Sequence, residues 1–177
     1  AQCVHMPLEC AIIQCMKLTA QLKLQPTPDQ ADVLRRTLAA ANAACNYISG
    51  VAWDTRTFGT FALQKLCYQD VRDTFGLSAQ MAVRSLAKVG DAYKRGKQTR
   101  RTFRPRASIA YDDRILSFAL PDSSISIWTL DGRQSIPFVC GERQRRMLHM
   151  RRGESDLLFH RGAWYLLVTC EVEEADP

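Results

Sequence analysis

Thr19-Ala20-Gln21-Leu22-Lys23-Leu24-Gln25-Pro26-Thr27-Pro28-Asp29-Gln30 packs a strand, a stop and a helix start into one short stretch. From Thr19 to Leu24 polar and apolar side chains alternate, the period of a half-buried strand, and Pro26 ends it. Thr27 then suits the N-cap, Pro28 the first helical position, Asp29 the positive end of the helix dipole, and Gln30 closes a capping box. Val33, Leu34, Leu38, Ala41, Cys45 and Ile48 follow at helical spacing on one face, with Arg35, Arg36, Asn42 and Asn46 turned elsewhere. Gly50 offers an exit. The spacing predicts a helix over about 28–49, directly behind the first strand.

Outward from there, Phe61, Leu63, Leu66, Cys67, Val71 and Phe75 recur at helical spacing up to Gly76. Ser78 caps a third helix with Met81, Ala82, Leu86, Val89 and Tyr93 as its buried stripe and Arg84 and Lys88 on another face. From Thr102 onward the pattern changes to short alternating runs at 108–111, 115–120, 124–130, 135–139, 156–160 and 164–172. Leu120-Pro121-Asp122-Ser123, Asp131-Gly132 and Arg161-Gly162 separate several of them as hairpin turns. One strand at the front must find partners among those at the back. The economical architecture is α+β: a small antiparallel, OB-like β-barrel from 16–26 and 102–174, with a three-helix insertion after its first strand, 27–101 including a basic linker. Residues 1–15 are a leader outside it.

The chain has 177 residues, 46% hydrophobic and 24% charged, and no apolar run approaches the roughly 20 residues of a membrane helix. Seven cysteines, an odd number without a Cys-x-x-Cys pair, point to a reduced, cytoplasmic setting rather than a disulfide framework. Cys3, His5, Cys10 and Cys15 match no common zinc spacing. Three scattered histidines supply no Ser/His/Asp arrangement, and no Gly-rich phosphate loop occurs. Asp112-Asp113 reads as a turn between strands, and Glu171, Glu173, Glu174 and Asp176 as a solvated tail, rather than as metal ligands.

The net charge of +6 is unevenly placed. Lys94, Arg95, Lys97, Arg100, Arg101, Arg104 and Arg106 put seven cations between Asp91 and Asp112 with no acid among them. A core has no use for such a run. It is either a solvated linker or a phosphate-contacting segment, with Phe103 and Tyr111 available to stack on bases. A second cluster, Arg143, Arg145, Arg146, Arg151 and Arg152 with His149, is interleaved with Glu142 and Glu154, so local ion pairs compete with nucleic-acid contact; a short helix around Met147, Leu148 and Met150 would turn Arg145 and Arg146 outward.

Leu24-Gln25-Pro26-Thr27-Pro28-Asp29-Gln30, Ala44-Cys45-Asn46-Tyr47, Asp91-Ala92-Tyr93-Lys94, Phe103-Arg104-Pro105-Arg106 and Trp164-Tyr165-Leu166-Leu167-Val168-Thr169-Cys170-Glu171, in this order, resemble TnpB, the transposon-encoded OrfB protein ancestral to type V CRISPR effectors. The similarity runs from Met16 onward. It implies that the barrel is a wedge domain and the helices a recognition lobe, together holding a guide RNA and the double-stranded target DNA beside a short motif, in a bacterial or archaeal cell at the nucleoid. It implies Lys65, Arg84 and Lys88 as further contacts. The family's RuvC-like nuclease half, with its Asp-Leu-Gly strand, two divalent metal ions and zinc-binding cysteines, has no counterpart among these residues, so no cofactor is expected in this chain. Two other readings stay open: a short, non-cleaving regulator or transposon remnant, and an interaction protein whose basic run merely solvates a linker.

Overall fold

The computed structural model describes residues 15–173, which places Cys3, His5 and Cys10 of the candidate zinc cluster, and the tail acids Glu174 and Asp176, outside the described residues. The fold is α+β, a nearly closed seven-stranded antiparallel barrel with helices. Strand β1 (Cys15–Leu24) is followed by α1 (Pro28–Thr55), α2 (Thr60–Phe75) and α3 (Ala79–Lys94). The remaining strands are β2 (Ile109–Tyr111), β3 (Leu116–Ala119), β4 (Ser124–Thr129), β5 (Gly132–Val139), β6 (Arg151–His160) and β7 (Ala163–Glu173), with α4 (Glu142–Met147) and a 3-10 turn at Leu148–Met150 before β6.

Spatial order is β2-β6-β7-β1-β5-β4-β3. The first strand lies between the last strand and β5, and it pairs with β7 over its whole length, Lys17 opposite Glu171 and Leu24 opposite Trp164. The two edge strands, β2 and β3, are consecutive in the chain, so the turn at 112–115 draws the open edges of the sheet together. Asp112 organises that turn by accepting from the Arg114 backbone N–H at 3.1 Å, the turn role expected of it. Arg161 and Gly162 both have positive φ, 48° and 79°, as the two-residue β6–β7 hairpin requires.

Alternation along the strands buries Ala20, Leu22 and Leu24, Ile125 and Ile127, Ile136 and Phe138, and Leu166, Val168 and Cys170. The helices bury Leu34, Leu38, Ile48, Leu86 and Val89 in the same continuous core. Burial of that apolar surface, rather than any single contact, holds helices and barrel together. At the junction Thr27 accepts from the Gln30 backbone at 3.2 Å while the Gln30 side chain accepts from Thr27 N–H at 3.1 Å, the reciprocal box read from the sequence. Beyond it, Gln30 Nε2 donates to Ser135 O at 2.8 Å and Arg36 reaches Asp131 at 2.6 Å, fastening α1 to the β4–β5 hairpin.

The expected end of the first helix near residue 49 is wrong. The helix continues through Gly50 to Thr55, because Ile48 and Ala52 extend the buried stripe past it. Gly50 serves another purpose: a Cβ there would lie 2.8 Å from Arg100 Nη2, so its bare backbone makes room for the basic segment.

Candidate nucleic-acid interface

Between α3 and β2 the chain runs from 95 to 108 without regular secondary structure, yet it is not a free linker. One side of α1 carries Asn42, Asn46 and Ser49, small polar side chains on neighbouring turns. Asn46 grips both sides of one peptide residue, its Oδ1 accepting from Phe103 N–H at 2.8 Å and its Nδ2 donating to Phe103 O at 2.9 Å. Asn42 Nδ2 donates to Ala107 O at 2.8 Å, and Ser49 Oγ to Arg101 O at 2.6 Å. Tyr93 Oη accepts from Arg101 N–H at 3.2 Å. The backbone of 101–107 is thereby laid along α1 as a strap. Asn42 and Ser49 are fully buried, each satisfied by these bonds.

Pinning the backbone leaves most of the cations pointing away. Arg95, Arg100, Arg104 and Arg106 are exposed, although the Arg100 guanidinium rests against Gly50 of α1 and that of Arg106 over the Phe159 ring. Lys97 is also exposed, its Nζ 5.5 Å from the Phe58 ring. Lys94 is exposed but paired with Asp91 at 2.7 Å. Arg101 is half-buried and turned inward, donating to Gly96 O at 2.8 Å, with its Nε buried and without a hydrogen-bond partner. The strap therefore carries Arg104 and Arg106 exposed on a backbone held against α1, with Arg95 and Arg100 exposed just before it.

Several residues expected to touch nucleic acid have other work. Tyr111 cannot stack on a base: it is 1% exposed, its hydroxyl donates to Trp128 O at 3.0 Å, and burial pushes its pKa well up. Alternation on β2 points it into the barrel. Lys88 donates to Asn42 Oδ1 and to Ser108 O, each at 2.7 Å, and burial lowers its pKa. It is a strut between α3, α1 and the end of the strap. Arg84 is ion-paired with Glu154 on β6. Arg145 braces the β3–β4 turn, donating to Ser123 Oγ at 2.9 Å. Phe103 is half-buried against the core, with Lys88 Nζ 5.2 Å from its ring.

Arg84, Lys88, Arg95 and Phe103 do line one cleft of about 370 Å³, but Asp91, Glu154 and Asp156 line it too, so its charge is balanced. Lys65 is exposed on α2 above Phe61, and Arg146 is exposed on α4. Neither lies on the strap. The residues that sequence reasoning missed are Asn42, Asn46 and Ser49. Their partners lie 65, 57 and 52 positions away, and the available signal was polar side chains at helical spacing within an otherwise apolar helix.

Among the described residues, no group of three or more His, Cys, Asp or Glu side chains is placed to hold a metal ion, and no helix is long and apolar enough to cross a membrane. Burial pushes the Cys45 and Cys67 thiols up to about 11. No protein-family model and no curated protein matches the chain.

Proposed function

We propose that this chain is a nucleic-acid-binding module of the TnpB type, equivalent to the wedge and recognition parts of that family, and that the strap is its main phosphate-contacting element. The observation that carries the reading is the clamp of Asn42, Asn46 and Ser49 on 101–107, which fixes a backbone while leaving Arg104 and Arg106 on it, and Arg95 and Arg100 just before it, to solvent. A solvated linker has no need of buried amides to hold it. Guanidinium groups carried on a backbone that is already fixed can meet phosphate oxygens without the cost of ordering that backbone at the moment of binding.

On this reading the ligands are a guide RNA and the double-stranded DNA it addresses, in a bacterial or archaeal cytoplasm. The chain's own residues bind and position, and none of them is assigned a role in phosphodiester cleavage. The barrel contributes rigidity, since the strap's α1 support is fastened to β4–β5 by Arg36 and Gln30.

A second reading, an interaction protein, draws support from the outer face of α2, where Phe61 is 71% and Leu66 50% exposed. Fluorescence anisotropy with labelled single-stranded RNA and duplex DNA separates the two. The proposal expects binding by the wild-type chain and loss of about tenfold or more in a variant carrying Ser at Arg95, Arg100 and Arg104 with unchanged circular dichroism. Equal binding by variant and wild type, or no binding by either, sinks it.

A further inference from the structure

A cleft of about 470 Å³ opens where the end of β1, the first turns of α1, the strap and the β6–β7 hairpin meet. Its walls are apolar, formed in part by Leu24, Phe159 and Trp164, and Lys23, Arg35 and Arg106 are its charged lining residues. No carboxylate lines it. Arg35 is already paired with Asp32, whose carboxyl is held below its usual range by hydrogen bonds from Arg35 and Arg36. Lys23 and Arg106 have no ion-pair partner among the described residues, so they supply the uncompensated charge. Phe159 is half-buried, stacked at a tilt on Trp164 with ring centroids 5.0 Å apart, and the Arg106 guanidinium sits 5.6 Å from its ring centre.

We infer that this cleft receives one unstacked nucleotide of a single-stranded nucleic acid, its base against Phe159 and its flanking phosphates on Lys23 and Arg106. The inference rests on the nucleic-acid reading above and names where a strand leaves the strap. Three features select this occupant. The volume lies in the range of small-molecule sites, about 300 to 1,000 Å³, which admits a base and its sugar but not a duplex. An aromatic wall beside positive charge is what a base with its phosphates requires, whatever its sequence. Arg106 belongs to both the strap and the cleft, so a backbone following the exposed arginines toward the end of 101–107 is delivered to it.

The test uses the whole chain and fluorescein-labelled single strands of mixed sequence, about 15 nucleotides long, in one RNA and one DNA arm. Lys23→Ser with Phe159→Leu keeps apolar volume in the wall and removes the aromatic ring and the charge. Lys23→Glu alone changes only an exposed side chain and remains informative if the double variant fails to fold. The expected result is a loss of about tenfold in affinity for the double variant and a smaller loss for Lys23→Glu. Ultraviolet cross-linking of 5-bromouracil-substituted strands should attach to the peptide spanning Phe159 and Trp164, and the arm with the larger loss identifies the strand. If the wild type binds and the Arg95, Arg100 and Arg104 variant weakens it, yet the cleft variants bind like wild type and cross-links map elsewhere, this inference is overturned while the strap reading stands. Absence of wild-type binding to either strand overturns both.

Discussion

Replacing Asn46 by Ala removes both hydrogen bonds that hold Phe103 to α1, at 2.8 and 2.9 Å, without touching any exposed cation. Each such bond contributes about 0.5 to 1.5 kcal/mol net, and Ala recovers roughly 0.6 kcal/mol over Asn as a helix former. The balance is a loss of about 0.4 to 2.4 kcal/mol, which lowers Tm by roughly 1 to 10 °C for a chain of this size. Because Phe103 lies mid-strap, the same change should speed tryptic cleavage after Arg101 and Arg106, the Arg104–Pro105 bond being resistant to trypsin. It should also weaken RNA binding about threefold or more, since the strap must then be ordered on binding. Asn46→Asp keeps the acceptor for Phe103 N–H but sets a carboxylate oxygen against Phe103 O, so it should not restore wild-type behaviour in any of the three measurements. Calorimetry, timed proteolysis and anisotropy together check the chain of reasoning. A Tm within about 1 °C of wild type, with an unaltered digestion pattern, would refute the claim that the clamp holds the strap.

Other expectations follow from particular contacts. Gly90 on α3 faces Thr60 at the start of α2 so closely that a Cβ would collide with its hydroxyl, and Gly90→Ala should cost about 1 to 3 kcal/mol, read by urea denaturation. Lys88→Met removes the strut to Asn42 and Ser108 and should lower Tm while leaving the salt dependence of RNA binding unchanged, because Lys88 is spent inside the protein. The Cys45 thiol, pushed up to about 11 from 9.0, ionises in the unfolded chain before it does in the folded one. Its contribution is therefore fully present below pH 9 and lost as pH rises toward 11, amounting to roughly 2 to 3 kcal/mol. Cys45→Ala should show a shallower alkaline fall in stability in denaturant titrations run between about pH 8 and 10.5.

What could be read in advance was what is local. Thr27 and Gln30 sit three residues apart and make a box that needs no tertiary information, and alternation alone sorted Leu22 and Leu24 from Gln21 and Lys23. The β1–β7 pairing was foreseeable only as a need, since a lone front strand must have partners and no local signal sets their register. Gly50 misled because a glycine near a helix end usually marks its exit, whereas here a neighbour 50 positions away occupies the space beside it. Asn42 and Asn46 looked like solvent-facing polar residues for the same reason. The charge of Arg84 and Lys88 was visible, but Glu154 and Asn42, which engage them, come from other elements. Tyr111 followed the period of its strand into the barrel, a placement its aromatic character does not disclose.

The most direct test of the strap as a phosphate contact is the salt dependence of binding to a single-stranded RNA, compared between wild type and the chain carrying Ser at Arg95, Arg100 and Arg104. Each phosphate contact contributes about 0.7 to the slope of log affinity against log salt on a single strand, so the account predicts a wild-type slope steeper than the variant's by about 2. Slopes that coincide would place the phosphate contacts elsewhere and contradict it.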